Sequence, residues 1–121
     1  MRFLQFLMEG KYLSLITYTK KGDPIATPVW FVEKDGKLYA LTTQKRYKYR
    51  RINNNPKVKV AQCTYRGEVK GSYVEGKART FTGEEVLGIK KMFKKKYFSS
   101  RFMFRNIEGK DKTWGIEITL V

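Results

Sequence analysis

The stretch Pro24-Ile25-Ala26-Thr27-Pro28-Val29-Trp30-Phe31-Val32-Glu33 reads as a β-strand, yet it contains two prolines. Each proline removes one backbone donor from a ladder, so the strand belongs at an edge, a bulge or an open seam. The runs on either side are also strands. Tyr12 to Thr19 alternates and is rich in β-formers, and Lys20-Lys21-Gly22-Asp23 is a turn. Lys34-Asp35-Gly36-Lys37 carries the Asp-Gly signal of a hairpin, and Leu38 to Thr43 follows as a third strand. The three runs predict an antiparallel meander. Its proline-bearing member marks a place where a flat ligand can lie.

The rest of the chain continues the pattern. Gln44 to Asn54 is polar and basic with Ile52 as its only aliphatic residue, and it is predicted as a short helix that stops before Pro56. Lys57 to Tyr65 alternates as a strand, Arg66 to Gly71 is a loop, and Ser72 to Phe81 is a further strand. Thr82-Gly83-Glu84-Glu85 reads as a capping box. A helix follows to about Tyr97, with Val86, Ile89 or Met92, Phe93 and Tyr97 on one face and lysines over the rest. Ser99 to Lys112 is predicted to be irregular, and Thr113 to Val121 is the closing strand. At the other end, Arg2 to Glu9 is predicted as a short amphipathic helix. Six or so antiparallel strands with one short internal helix and one longer C-terminal helix predict a mainly β protein, a small barrel of one domain over 1–121.

Composition narrows the chemistry. The single cysteine, Cys63, excludes an intrachain disulfide and a zinc site of paired Cys-x-x-Cys type. The absence of histidine excludes Ser-His and Cys-His nucleophile pairs and His-ligated metals or haem. No apolar run reaches the roughly 18–20 residues that span a bilayer, and the N-terminal segment lacks a signal-peptide cleavage site. A soluble cytoplasmic protein without a membrane association is the expectation. The net charge of +15, from 26 basic and 11 acidic residues, favours a polyanionic partner or ligand. Lysine solvation of the surface accounts for the same charge without a ligand.

Five groups of residues are candidates for a site, each with more than one reading open. Thr42 and Thr43 end a strand where the next helix begins, and Lys48 and Arg51 follow three apart on that helix. Hydroxyls, first-turn amides, a lysine and an arginine fork are what a phosphate needs, although a solvated basic helix has the same look. In Pro28-Val29-Trp30-Phe31 the proline leaves a carbonyl for a ring to use and Trp30 supplies apolar area, while Phe31 reads as core. Trp114 is suited to stacking on a cofactor, filling a dimer interface or packing in the core. Cys63 reads as a small buried residue, and Arg66 as either an anion contact in a neighbouring subunit or a solvated side chain. Tyr47, Tyr49 and Tyr65 interleave with basic residues, as in binders of single-stranded nucleic acid. A non-enzymatic nucleic-acid-binding barrel is therefore the alternative function, although no helix-turn-helix, RNP-type or Gly-x-x-Gly element is present.

Taken in order, Tyr12 to Thr17, Gly22 to Phe31, Leu38 to Thr42, Lys48, Arg51, Asn55 to Val58, Cys63, Arg66-Gly67 and Val74 to Arg79 resemble the pyridoxamine 5'-phosphate oxidase-like superfamily of FMN-binding split barrels. The likeness is greatest to its small single-domain branch of F420-dependent oxidoreductases. It covers residues 10 to 82; from Gly83 onward only the helix and closing strand correspond. The resemblance implies an antiparallel split β-barrel, a homodimer with cofactor sites at the subunit interface, and a flavin- or deazaflavin-dependent oxidoreductase acting on a small molecule. It places the cofactor phosphate against Thr42, Thr43, Lys48 and Arg51, and the ring along Pro28, Val29 and Trp30. Arg66 and Trp114 are the residues it suggests for completing the site from the second subunit. The basic, histidine-bearing C-terminal segment of the vitamin B6 oxidase is missing, which argues against pyridoxamine phosphate as substrate. FMN and F420 both fit. The excess of lysine and arginine leans toward F420, whose tail carries several carboxylates.

Overall fold

The structure is a computed structural model and describes residues 12–43, 47–96 and 113–121. Seven strands and two helices follow in the order β1 (Tyr12–Tyr18), β2 (Pro24–Trp30), β3 (Val32–Lys34), β4 (Lys37–Thr43), α1 (Tyr47–Asn54), β5 (Lys57–Cys63), β6 (Val74–Phe81), α2 (Glu84–Lys96) and β7 (Thr113–Leu120). The segments predicted over Arg2 to Glu9 and Ser99 to Lys112 lie outside the described residues, as do Gln44 to Arg46 and Tyr97. Among the described residues no helix is long and apolar enough to cross a membrane.

All seven strands form one antiparallel sheet in the order β2-β1-β5-β6-β7-β4-β3. The two ends of this order are consecutive in sequence, with Phe31 alone between them. Cα atoms two residues apart are separated by at most about 7.6 Å. The two outer strands must therefore meet at Phe31, and the sheet has to curl on itself to allow it. That makes it a barrel split along the rest of the β2–β3 seam.

This corrects two expectations. Pro24 to Glu33 is not one strand: it breaks at Phe31, and its halves serve opposite edges. Nor are the first three runs a meander, because β2 pairs with β1 and β3 pairs with β4, while β2 and β4 are not hydrogen-bonded neighbours. The placement of the prolines does hold. Pro24 and Pro28 lie on β2 opposite Tyr18 and Ser14, and among the described residues β2 pairs on one side only.

Two apolar clusters hold the fold. Leu13, Leu15, Val29, Phe31, Leu38, Ala40, Val58, Val60, Ala78, Ile116 and Ile118 fill the barrel interior, and Ile52 of α1 closes it. This is the alternation of inward positions along each strand. On the outer face, Phe81 and Val32 pack under Val86, Ile89 and Phe93 of α2. Gly115 is required there, because a Cβ would stand 2.1 Å from the Phe81 ring. The capping box is not formed. Gly83 has φ 85°, outside the helical region, so α2 starts after it; Glu85 accepts from Arg79 Nη2 at 3.2 Å instead.

Candidate functional site

A cleft of about 490 Å³ opens where β2 and β4 face each other across the split. Its lining comes from six separate parts of the fold: Tyr12 of β1, Pro28, Val29 and Trp30 of β2, Leu41 of β4, Lys48 of α1, Tyr65 in the loop after β5, and Phe93 of α2. Its size is in the range of small-molecule and cofactor sites, and so is its character of apolar walls with few polar groups. The walls are rich in rings. Tyr12 meets Trp30 edge-on, with centroids 6.2 Å apart and planes at 64°. Lys48 is the one charged side chain among the lining residues.

Local structure explains how these groups converge. β2 has no hydrogen-bonded neighbour on its outer side among the described residues, and Pro28 is exposed beside the cleft. The loop after β5 folds back through the Cys63–Val69 bridge and the Lys70 N–H to Gln62 carbonyl bond of 2.8 Å. Its tip turns at Gly67, which has φ 88° and whose substituent position lies 4.0 Å from the Pro28 ring. Tyr65 is thereby brought to the cleft, with Arg66 at the rim. Arg66 Nε donates to Tyr65 Oη at 2.9 Å, and its guanidinium stands 5.4 Å from that ring.

The other candidates are placed differently. Thr42 is buried and faces the barrel interior opposite Trp114, and its hydroxyl has no hydrogen-bond partner among the described residues. Thr43 ends β4 opposite Thr113. Arg51 does not line the cleft: its Nε donates to the buried Thr17 hydroxyl of β1. Burial pushes the Arg51 pKa down. Trp114 is half-buried, with its ring centroid 4.9 Å from that of Tyr49. These contacts fasten α1, which carries Lys48, to β1 and β7. Cys63 is buried, and desolvation raises its thiol pKa, so it stays protonated and unreactive.

One group escaped the sequence reading. Glu117 of β7 is buried on the outer face and accepts from Arg79 Nη2 at 2.8 Å and Nε at 3.1 Å, from Lys37 Nζ at 3.5 Å and from Tyr39 Oη at 3.4 Å. The Arg79 hydrogen bonds are the main cause of its lowered pKa. The inward–outward alternation of β7 puts Glu117 on the face of α2, and Arg79 is its register partner on β6. Among the described residues there is no cluster of three or more metal-binding side chains.

Rings on three sides and a single cation suit a planar, anionic ligand. A curled antiparallel sheet with a cleft at its seam is the split-barrel fold of the pyridoxamine 5'-phosphate oxidase-like proteins. The chain belongs to the pyridoxamine 5'-phosphate oxidase family, whose sequence model matches residues 2–119. No curated protein matches it by sequence. Solved structures agree on the fold. The heme storage protein HutZ of Vibrio cholerae has TM-score 0.75 at 15% identity, covering 97% of this chain and 86% of its own. An F420 reductase has TM-score 0.69 at 20% identity, covering 97% and 92%. General stress protein 26 of Bacillus anthracis has TM-score 0.69 at 20% identity, covering 98% and 87%.

Proposed function

We propose that the protein binds FMN or F420 in the cleft between β2 and β4 and acts as an oxidoreductase on a small molecule. The observation that carries this reading is the ring-walled cleft with Lys48 as its one charged lining side chain. Membership of the family and the structural likeness to an F420 reductase support it. The chain's own groups bind and orient. Tyr12, Trp30 and Tyr65 confine a planar ring, Pro28 leaves neighbouring carbonyls for its polar edge, and Lys48 meets an anionic substituent. Thr42 and Thr43 end β4 ahead of α1, and Arg51 and Trp114 hold α1 in place. When bound, the ring supplies the hydride chemistry, which suits a chain without histidine.

A second copy of the chain completes the site in this reading. Tyr65 of the cleft and Tyr47, next to Lys48 on α1, are 64% and 72% exposed, and β2 has an edge unpaired among the described residues. Exposed aromatics of this kind favour association. Arg66 at the rim would then face the partner's cofactor. The test is an absorbance titration of purified protein with FMN and with F420. Saturable perturbation of one ring spectrum is expected, and no perturbation by either would overturn the proposal. Binding of a labelled oligonucleotide in place of both would favour the nucleic-acid reading.

A further inference from the structure

A second concavity, of about 240 Å³, lies on the outer face of the sheet; its polar lining is Tyr18 of β1, Lys57 and Lys59 of β5, and Glu75 and Lys77 of β6, and Val58, Gly76 and Val121 complete it. Tyr12 and Tyr18 are six residues apart on β1, so this pocket lies about 20 Å along the strand from the cleft. Lys57 and Lys77 are direct register partners on the β5–β6 ladder, and Lys59 is the partner of Glu75. The four side chains therefore share one face. Like charges directly opposite each other in an antiparallel pair are destabilising.

Glu75 offsets part of that charge, but no hydrogen bond or ion pair with a described residue holds the side chains of Lys57, Lys59 and Lys77. Glu75 is the one acidic side chain among the lining residues, against three lysines. Lys20 and Lys21, exposed in the turn after β1, add positive charge at the same end of that strand. Tyr18 gives the pocket a ring and a hydroxyl beside its cations. Its volume is below that of typical drug-sized sites, so a compact ligand suits it.

We propose that this pocket is a second, independent anion site, built for a compact, multiply charged phosphate that bridges Lys57, Lys59 and Lys77. An oligophosphate places several oxygens within reach of three ammonium groups and converts the repulsive Lys57–Lys77 pair into a shared clamp. The ligand can be a free oligophosphate or a stretch of nucleic-acid backbone, since the recognising chemistry is the same.

Calorimetric titration with inorganic tripolyphosphate at low salt tests the site. One saturable site per chain is expected, weakening as salt rises. Lys57→Gln/Lys77→Gln should lower the affinity by about tenfold. Lys91→Gln/Lys95→Gln, which removes two exposed charges from α2, should leave it unchanged. Equal losses in the Lys57/Lys77 and Lys91/Lys95 variants would reduce the effect to overall charge and overturn the proposal, as would the absence of saturable binding. A thermal melt gives a second readout. Without phosphate, Lys77→Gln should melt no lower than the wild type, because repulsion is removed, yet lose the stabilisation by tripolyphosphate. A lower melt without phosphate would overturn the clamp. A short oligonucleotide that displaces tripolyphosphate identifies backbone phosphate as the source; one that does not identifies a free oligophosphate.

Discussion

Lys48 and Arg51 are three residues apart on α1, but the fold gives them different tasks. Lys48 lines the cleft, whereas Arg51 is turned toward the Thr17 hydroxyl. Lys48→Ala should weaken FMN or F420 binding by about tenfold while leaving the circular dichroism spectrum unchanged. Arg51→Ala should act first on the fold, costing about 1–2 kcal/mol in denaturant unfolding because a buried hydroxyl loses its partner. Reversed effects for these two variants would reverse the assignments. Glu117 invites a pH test. Its folded pKa is lowered by Arg79, so its stabilising effect is present above the ordinary carboxylate pKa of about 4 and is lost as pH falls through the folded value. Glu117→Gln should thus destabilise the protein at neutral pH, and the difference from wild type should shrink in acid. Arg79→Met should cost about 1–3 kcal/mol at neutral pH by leaving a buried carboxylate with weaker partners.

At the scale of elements, α2 is fixed to the barrel by three kinds of contact. Its apolar face covers Phe81 and Val32, Glu85 meets Arg79, and Lys96 reaches the strand junction. Lys96 Nζ donates to the Phe31 carbonyl at 2.9 Å and stands 3.7 Å from the centroid of the Phe31 ring. Burial of the ammonium lowers its pKa to about 8. The folded state then releases this proton at lower pH than the unfolded chain does, so stability should rise between about pH 8 and the ordinary lysine value of about 10.4. Lys96→Met should flatten that rise in urea titrations across the interval; an unchanged slope would assign the rise elsewhere. The β6–β7 ladder under α2 depends on Gly115 lying against Phe81. Gly115→Ala should destabilise by about 1–3 kcal/mol through overpacking, and Phe81→Leu in the same chain should recover part of the loss.

For the molecule as a whole, the split in the barrel is both a cleft and an exposed edge. Among the described residues the barrel closes where Phe31 joins β2 to β3, and the two strands at the rest of the seam have no described strand paired to their outer edges. Such edges attract partners unless covered. Sedimentation equilibrium should show a dimer in which Tyr65→Ser loosens association and cofactor binding together. A monomer that binds cofactor with full affinity would separate the two.

The alternation of Tyr12 to Thr19, the Asp-Gly turn, the two prolines and the amphipathic face of α2 determined a mainly β barrel with an edge at β2, because these signals are local. Pro28 to Trp30 and Lys48 stood out by residue type, and the fold brings them to one cleft. Other features depend on how the sheet closes. The break at Phe31 has no local signal: a continuous β-forming run divides because its two halves find partners at opposite edges. Arg51 was legible as a cation but not as a partner of Thr17, 34 residues earlier. Gly83 resembles part of a capping box until its positive φ removes it from the helix. The Glu117–Arg79 pair and the facing Lys57 and Lys77 arise from strand register. Register joins residues far apart in the chain, and only the assembled sheet sets it.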